Sequence, residues 1–192
     1  GKAGFITGLY VILVPLVGLF WGQRAGMGAW IGALLAVAGL YLLSVTDAMS
    51  IEYGDLLVLV GALFWTGHVQ LIGWLSKRVD TLLLSVTQFM VCAVLSLVVA
   101  LFTETISTPT LLQAAPAILY GGLLSVGVAY TLQIVAQRTA RPSHAAILLS
   151  LESAFAALGG WLLLSEQLTP RALLGCGLMM AGMLISQLLP RK

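Results

Sequence analysis

The chain has 192 residues, of which 60% are hydrophobic and only 8% charged, with a net charge of +2 and a mean hydropathy of +1.05. A soluble domain carries roughly 25% charged residues, so composition excludes a water-soluble globular fold and points to an integral membrane protein. The nine Lys and Arg residues are spread over the ends of apolar runs rather than gathered in a patch, which argues against nucleic acid as a partner.

Seven apolar runs follow one another, at about 4–22, 28–45, 54–76, 81–103, 113–137, 144–164 and 171–189. Each has about the 17–25 residues that cross ~30 Å of hydrocarbon as a helix. A β-barrel is excluded, because its strands would alternate over about 10 residues. The expected fold class is all-α, a polytopic transmembrane helix bundle.

In the first run Pro15 removes a backbone hydrogen bond and predicts a kink. The polar break Gly22-Gln23-Arg24 ends it. The second run carries Gly28 and Gly32, spaced for close helix–helix approach, and the seventh carries Gly175 and Gly182. The third holds Phe64-Trp65-Thr66-Gly67-His68-Val69-Gln70, in which Trp65 and His68 share a face and Gln70 lies on another. Gln88 lies in the fourth run. The fifth offers Gly121-Gly122 and Gly127, which read mainly as packing residues and alternatively as hinges, then Tyr130 and Gln133 three residues apart. The sixth opens after Arg141-Pro142-Ser143 with His144, carries Glu152 near its middle and Gly159-Gly160 beyond, and stops at Ser165-Glu166-Gln167. Cys92 and Cys176 both sit inside apolar runs and read as packing residues, not a disulfide or metal pair.

The chain also echoes itself. Residues 3–45 align with 146–188 at a constant offset of 143, without a gap; Gly32 and Gly39 fall on Gly175 and Gly182, and the break at Gly22 falls on the break at Ser165. The offset spans five apolar runs, an odd number, so the second copy is inverted in the membrane. Loop charges agree. Arg24, Lys77, Arg78, Arg138, Arg141, Arg191 and Lys192 lie on one side, and only Lys2 and Arg171 on the other. The positive-inside rule then places the C-terminus in the cytoplasm. The run at 54–76 would open the second repeat, so its mate falls about 90 residues ahead of Gly1. A chain opening at Gly1, without methionine, is therefore expected to be part of a ten-helix protein of about 280–300 residues.

The stretch SLESAFAALGGWLLLSEQLTPRALLGCGLMMAGMLIS (150–186) resembles the last two helices of the EamA-domain drug/metabolite transporters. AGFITGLYVILVPLVGLFWGQR (3–24) and WIGALLAVAGLYLLS (30–44) are similar to the pair that ends the first EamA repeat, and GDLLVLVGALFWTGHVQLIGWLSKRVD (54–80) to the opening helix of the second. The resemblance covers essentially the whole chain as helices four to ten of ten. It implies residues 1–45 as the end of the first repeat, 46–53 as a connecting loop and 54–192 as the second repeat. It further implies secondary transport, commonly export of small organic solutes or metabolites, through a central cavity exposed alternately to each side. One departure stands out: the family often ends helix four with Gly-Glu-Arg, where this chain has Gly22-Gln23-Arg24, while the second repeat keeps the acid as Glu166 but replaces the glycine with Ser165.

Titratable groups at membrane depth cost about 2.5–3.5 kcal/mol at a helix centre, so they face a cavity or a partner. Glu152 reads either as a protonatable coupling site, since burial raises a carboxyl pKa, or as a helix-to-helix bond. His68 reads either as a substrate ligand that titrates near neutral pH or as a packed donor. Trp65, Gln88 and Tyr130 are expected to line the cavity. No Walker loop, HExxH or GxSxG is present, so no catalytic residue, metal or cofactor is expected, and an enzyme is not. The reading is a multi-pass protein of the plasma or bacterial inner membrane. Its expected partners are a small solute, proton-coupled in one reading, the lipid bilayer, and a second copy in a homodimer. The alternative is a non-transporting assembly or scaffold protein, in which the midplane polar residues would pair off between helices.

Overall fold

The computed structural model describes residues 2–45, 53–105, 107–165 and 167–189. Helices α1 (Lys2–Gly8), α2 (Tyr10–Phe20), α3 (Met27–Ser44), α4 (Tyr53–Leu75), α5 (Thr81–Thr103), α6 (Thr108–Leu119), α7 (Thr131–Gln137), α8 (Pro142–Leu164) and α9 (Pro170–Leu188) are joined by short connections, with a π-helical segment, Tyr120–Tyr130, between α6 and α7. No strand occurs among the described residues. Seven spans, Ala3–Phe20, Met27–Ser44, Tyr53–Leu75, Thr81–Thr103, Thr108–Gln137, Pro142–Leu163 and Pro170–Leu188, are long and apolar enough to cross a membrane. The protein is an all-α polytopic membrane bundle. Glu166, Arg191 and Lys192 lie outside the described residues, as does most of the connection expected at 46–53.

Starts are set by local chemistry. Asp80 caps α5, its Oδ1 accepting from the backbone N–H of Leu82 (3.0 Å) and Leu83 (2.9 Å). Helices α6, α8 and α9 have proline in their first turn, where the missing N–H has no helical partner to lose. This is why the fifth span opens at Thr108, five residues ahead of the start read from hydropathy.

Two spans depart from uniform α-winding. The first continues through Pro15 and is interrupted instead at Leu9, whose N–H reaches back three residues to Ile6 (3.2 Å). The fifth turns from α into π winding at Tyr120, four residues after Pro116. Pro116 donates no backbone hydrogen bond, which frees a carbonyl in the preceding turn. Gly121, Gly122 and Gly127, read as hinge candidates, all fall inside the π-helical segment.

The chain folds as two compact units. One comprises α1–α3, α4 up to Leu71, α8 and α9; the other runs from Ile72 to Ala140 and holds α5–α7. In the first unit α3 and α9 run antiparallel in the closest helix–helix contact of the structure. A Cβ placed on Gly32 would lie 2.6 Å from the carbonyl of Gly182, and one on Gly182 would lie 2.6 Å from that of Gly32. Gly39 and Gly175 face each other in the same reciprocal way. Gly32 therefore meets the repeat mate of Gly39, and Gly39 meets the repeat mate of Gly32, so a two-fold relation links the helices. Two clusters pack with these helices: Tyr10, Val11, Val14, Ala33, Ala36, Val69, Ala146 and Ile147 form one, and Leu40, Leu151, Ala154, Cys176 and Met179 the other.

Two backbone positions share the offset of 143. Among the described residues only Gly22 (φ 71°) and Ser165 (φ 56°) have positive φ, and they are mates at the offset of 143. Gly22 closes α2 in a Schellman motif: its N–H donates to Leu19 (3.0 Å), and that of Gln23 to Gly18 (2.9 Å). Ser165 ends α8 with a different bond, its N–H donating five residues back to the carbonyl of Gly160.

Gly182→Ala is expected to cost about 1–3 kcal/mol by forcing the seam apart. Gly177→Ala on the same helix, where a Cβ meets nothing within 4 Å, is expected to be neutral or stabilising. Thermal unfolding in detergent, followed by circular dichroism, separates the two, and equal midpoints would contradict the seam. By the same measurement Ser165→Gly should hold or raise the midpoint. Ser165→Val should lower it, since the left-handed backbone costs a branched residue about 1–2 kcal/mol.

Candidate functional site

On α4 the helical period sorts the stretch around His68 into faces. Ala62, Thr66, Val69 and Gln70 are buried; Phe64 and Leu71 are exposed; Trp65 and His68 are half-buried between them. Their spacing of three stacks the two rings, with centroids 5.1 Å apart and planes 21° from parallel. Trp65 in turn meets the buried Tyr10 of α2 edge-on, at 6.3 Å and 75°. Thr66 returns its hydroxyl to the carbonyl of Ala62 (2.8 Å) and so brings no free donor to the site.

Gln70 is fully buried and serves a different structure. Its Nε2 donates to the carbonyl of Val14 on α2 (2.7 Å), and its Oε1 accepts from Nε2 of Gln23 (2.8 Å). Gln70 indeed lies off the face of His68, as its position two residues on requires. Sequence reading missed its partnership with Gln23, which it took as part of a polar break. No pattern within one helix could announce a bond between residues 47 apart. Tyr10 was missed for the same reason.

Glu152 is the eleventh of the 23 residues of α8. Its side chain is exposed, on a face it shares with Leu148 and Phe155. Leu151 and Ala154 turn into the core on the opposite side. Glu152 thus belongs to the same unit as Trp65 and His68 but sits on another helix.

Gln88 and Tyr130 belong to the second unit. There α5 and α7 pack on each other. Gln88 is half-buried on α5, and its Oε1 is buried with no hydrogen-bond partner. Tyr130, also half-buried, is the last residue of the π-helical segment, and Gln133 follows one turn later on α7. Gln133 Nε2 donates to Gln137 Oε1 (3.2 Å), leaving its own Oε1 buried and unpaired. Neither α5 nor the span Thr108–Gln137 contains a charged residue. Any group that satisfies these oxygens must bring N–H or O–H donors of its own. Among the described residues no cluster of three His, Cys, Asp or Glu could hold a metal ion.

The EamA-like transporter family model matches residues 52–188, and the chain belongs to that family. Among curated proteins it is 34% identical over 191 residues to an uncharacterized transporter of Archaeoglobus fulgidus, covering 97% of this chain and 60% of that protein. It is 34% identical over 168 residues to the uncharacterized transporter YwfM of Bacillus subtilis, covering 85% and 55% of the two chains. With YoaV of Bacillus subtilis, also an uncharacterized transporter, it shares 26% identity over 193 residues, covering 97% and 66%. The chain therefore spans less than two thirds of the length of these relatives. One crystal structure, described simply as that of a protein, superposes with a TM-score of 0.81 at 20% identity, over 97% of this chain and 67% of the other, and shows the same fold.

Gln133→Leu is expected to change stability little, because the loss of its bond to Gln137 Oε1 (3.2 Å) is offset by removal of its own buried, unpaired oxygen. Gln70→Leu is expected to cost about 1–3 kcal/mol by orphaning the amide of Gln23. Thermal unfolding of the purified variants checks the contrast, and equal losses would contradict it.

Proposed function

We propose that this chain is the larger part of a secondary transporter that exports small organic solutes by alternating access, with its C-terminus in the cytoplasm. In this reading residues 1–45 end a first five-helix repeat, 46–53 connect, and 54–192 form the second repeat of a ten-helix protein. Trp65 and His68 bind solute, Gln88 and Tyr130 line its path, and Glu152 couples proton movement to it. A second copy in a homodimer is compatible with this reading.

Glu152 carries the proposal. A carboxyl near the middle of a membrane span, on a face that the fold leaves uncovered, is costly against lipid, by about 2.5–3.5 kcal/mol on insertion scales. A water-filled or solute-filled cavity removes that cost. The oxygens of Gln88 and Gln133 support the same reading: a scaffold in which midplane polar groups pair between helices would not leave them without donors.

Flux of a solute panel in everted vesicles carrying the full-length protein tests the reading, with and without an imposed pH gradient. Glu152→Gln is expected to lower gradient-driven flux at least tenfold while sparing exchange of solute for solute. Unchanged gradient-driven flux would withdraw the coupling role. Trp65→Ala is expected to raise the half-saturation concentration roughly three- to tenfold, as loss of an aromatic contact does. Absence of flux for every solute tested would favour the scaffold.

A further inference from the structure

We infer that Gln23 and Gln70 form a latch between α2 and α4 that closes one end of the transport path and is released when access changes sides; the inference rests on the transport reading above. The latch is built into the backbone. Gly22 turns the chain so that Gln23 folds back over the end of α2, and its amide meets that of Gln70 (2.8 Å). Gly18 makes the room, since a Cβ there would lie 3.0 Å from Gln23 Oε1 and 3.0 Å from Gln70 Nε2. The second amide proton position of this pair is used as well, because Gln70 Nε2 bonds the carbonyl of Val14 (2.7 Å). One residue beyond Gln23, the carbonyl of Arg24 accepts from Nη1 of Arg141 (3.3 Å), which ties the same corner to the start of α8.

What makes this a latch and not a fixed joint is the contrast with the α3–α9 seam. The seam is backbone against backbone and cannot open without parting two helices along their length. Helix α4 makes far fewer close backbone approaches to its neighbours. Its hold on α2 is concentrated in Val69, the ring contact of Trp65 with Tyr10, and the two amide bonds of Gln70. Both latch side chains are uncharged, so breaking the contact strands no ion in the membrane. Two hydrogen bonds of ordinary strength are large enough to bias a two-state equilibrium and small enough to be reversed by solute binding.

The test reads conformation directly. Spin labels at Phe20 and Leu71, both exposed, report the α2–α4 separation by pulsed electron resonance in the full-length protein in nanodiscs, with Cys92 and Cys176 replaced by alanine. Wild type is expected to show a dominant short distance. Gln70→Leu, which removes both bonds, should shift the short-to-long ratio about five- to tenfold towards long, and Gln23→Leu, which removes one, about two- to fivefold. Gln23 lies at a helix end and is only half-buried, so its variant keeps the test alive if Gln70→Leu fails to fold. Distances unmoved by a folded variant overturn the latch, whether or not flux persists. Absent flux with responsive distances instead overturns the transport reading and leaves the contact as a conformational one.

Discussion

Helices α3 and α9 meet where two glycines on one helix face two on the other, each so close that a first side-chain carbon would fall on the opposing carbonyl. In a bilayer the lipid tails are as apolar as the helices, so burial alone gives little drive for helices to associate. Close van der Waals packing supplies what the hydrophobic effect cannot. The seam therefore organises its unit: α3 contributes Ala33 and Ala36 to one cluster and Leu40 to the other, while α9 contributes Cys176 and Met179. Because Gly32 meets Gly182 and Gly39 meets Gly175 in the same reciprocal way, the same constraint links the two helices by a two-fold relation.

Polar groups are then distributed by a second constraint, that every backbone and side-chain donor or acceptor at membrane depth needs a partner. Most find one locally. Thr66 and Ser85 return their hydroxyls to carbonyls four residues back, and Asp80 caps its own helix. Gln70 finds its partners on another helix. The exceptions, Ser76 Oγ, Gln88 Oε1, Gln133 Oε1 and the exposed Glu152, mark where the fold leaves polar capacity unused.

The interruptions of the helices fit the same logic. Leu9 and the π-helical segment Tyr120–Tyr130 break regular winding inside otherwise continuous spans. The wider winding brings Tyr130 to the start of α7, one turn before Gln133, so the irregular backbone ends where the polar side chains begin. π-Helical insertions gather at functional positions in helices generally.

Length and periodicity of the apolar runs were enough to determine seven spans and an all-α membrane bundle, because a bilayer permits little else of that length and composition. The shared face of Trp65 and His68 was likewise legible, since it follows from a spacing of three. The offset of 143 pointed to the glycines and to the helix break, though not to what they touch. Tertiary structure alone decided that Gly32 meets Gly182 instead of its own mate, that Gln23 bonds Gln70, that Tyr10 joins the ring pair, and that Gln88 is left without a donor. The physical reason is range: helical faces, caps and proline effects act within a turn or two of the chain. Contacts between residues tens of positions apart exist only once helices have packed, and packing depends on shapes that no single segment contains.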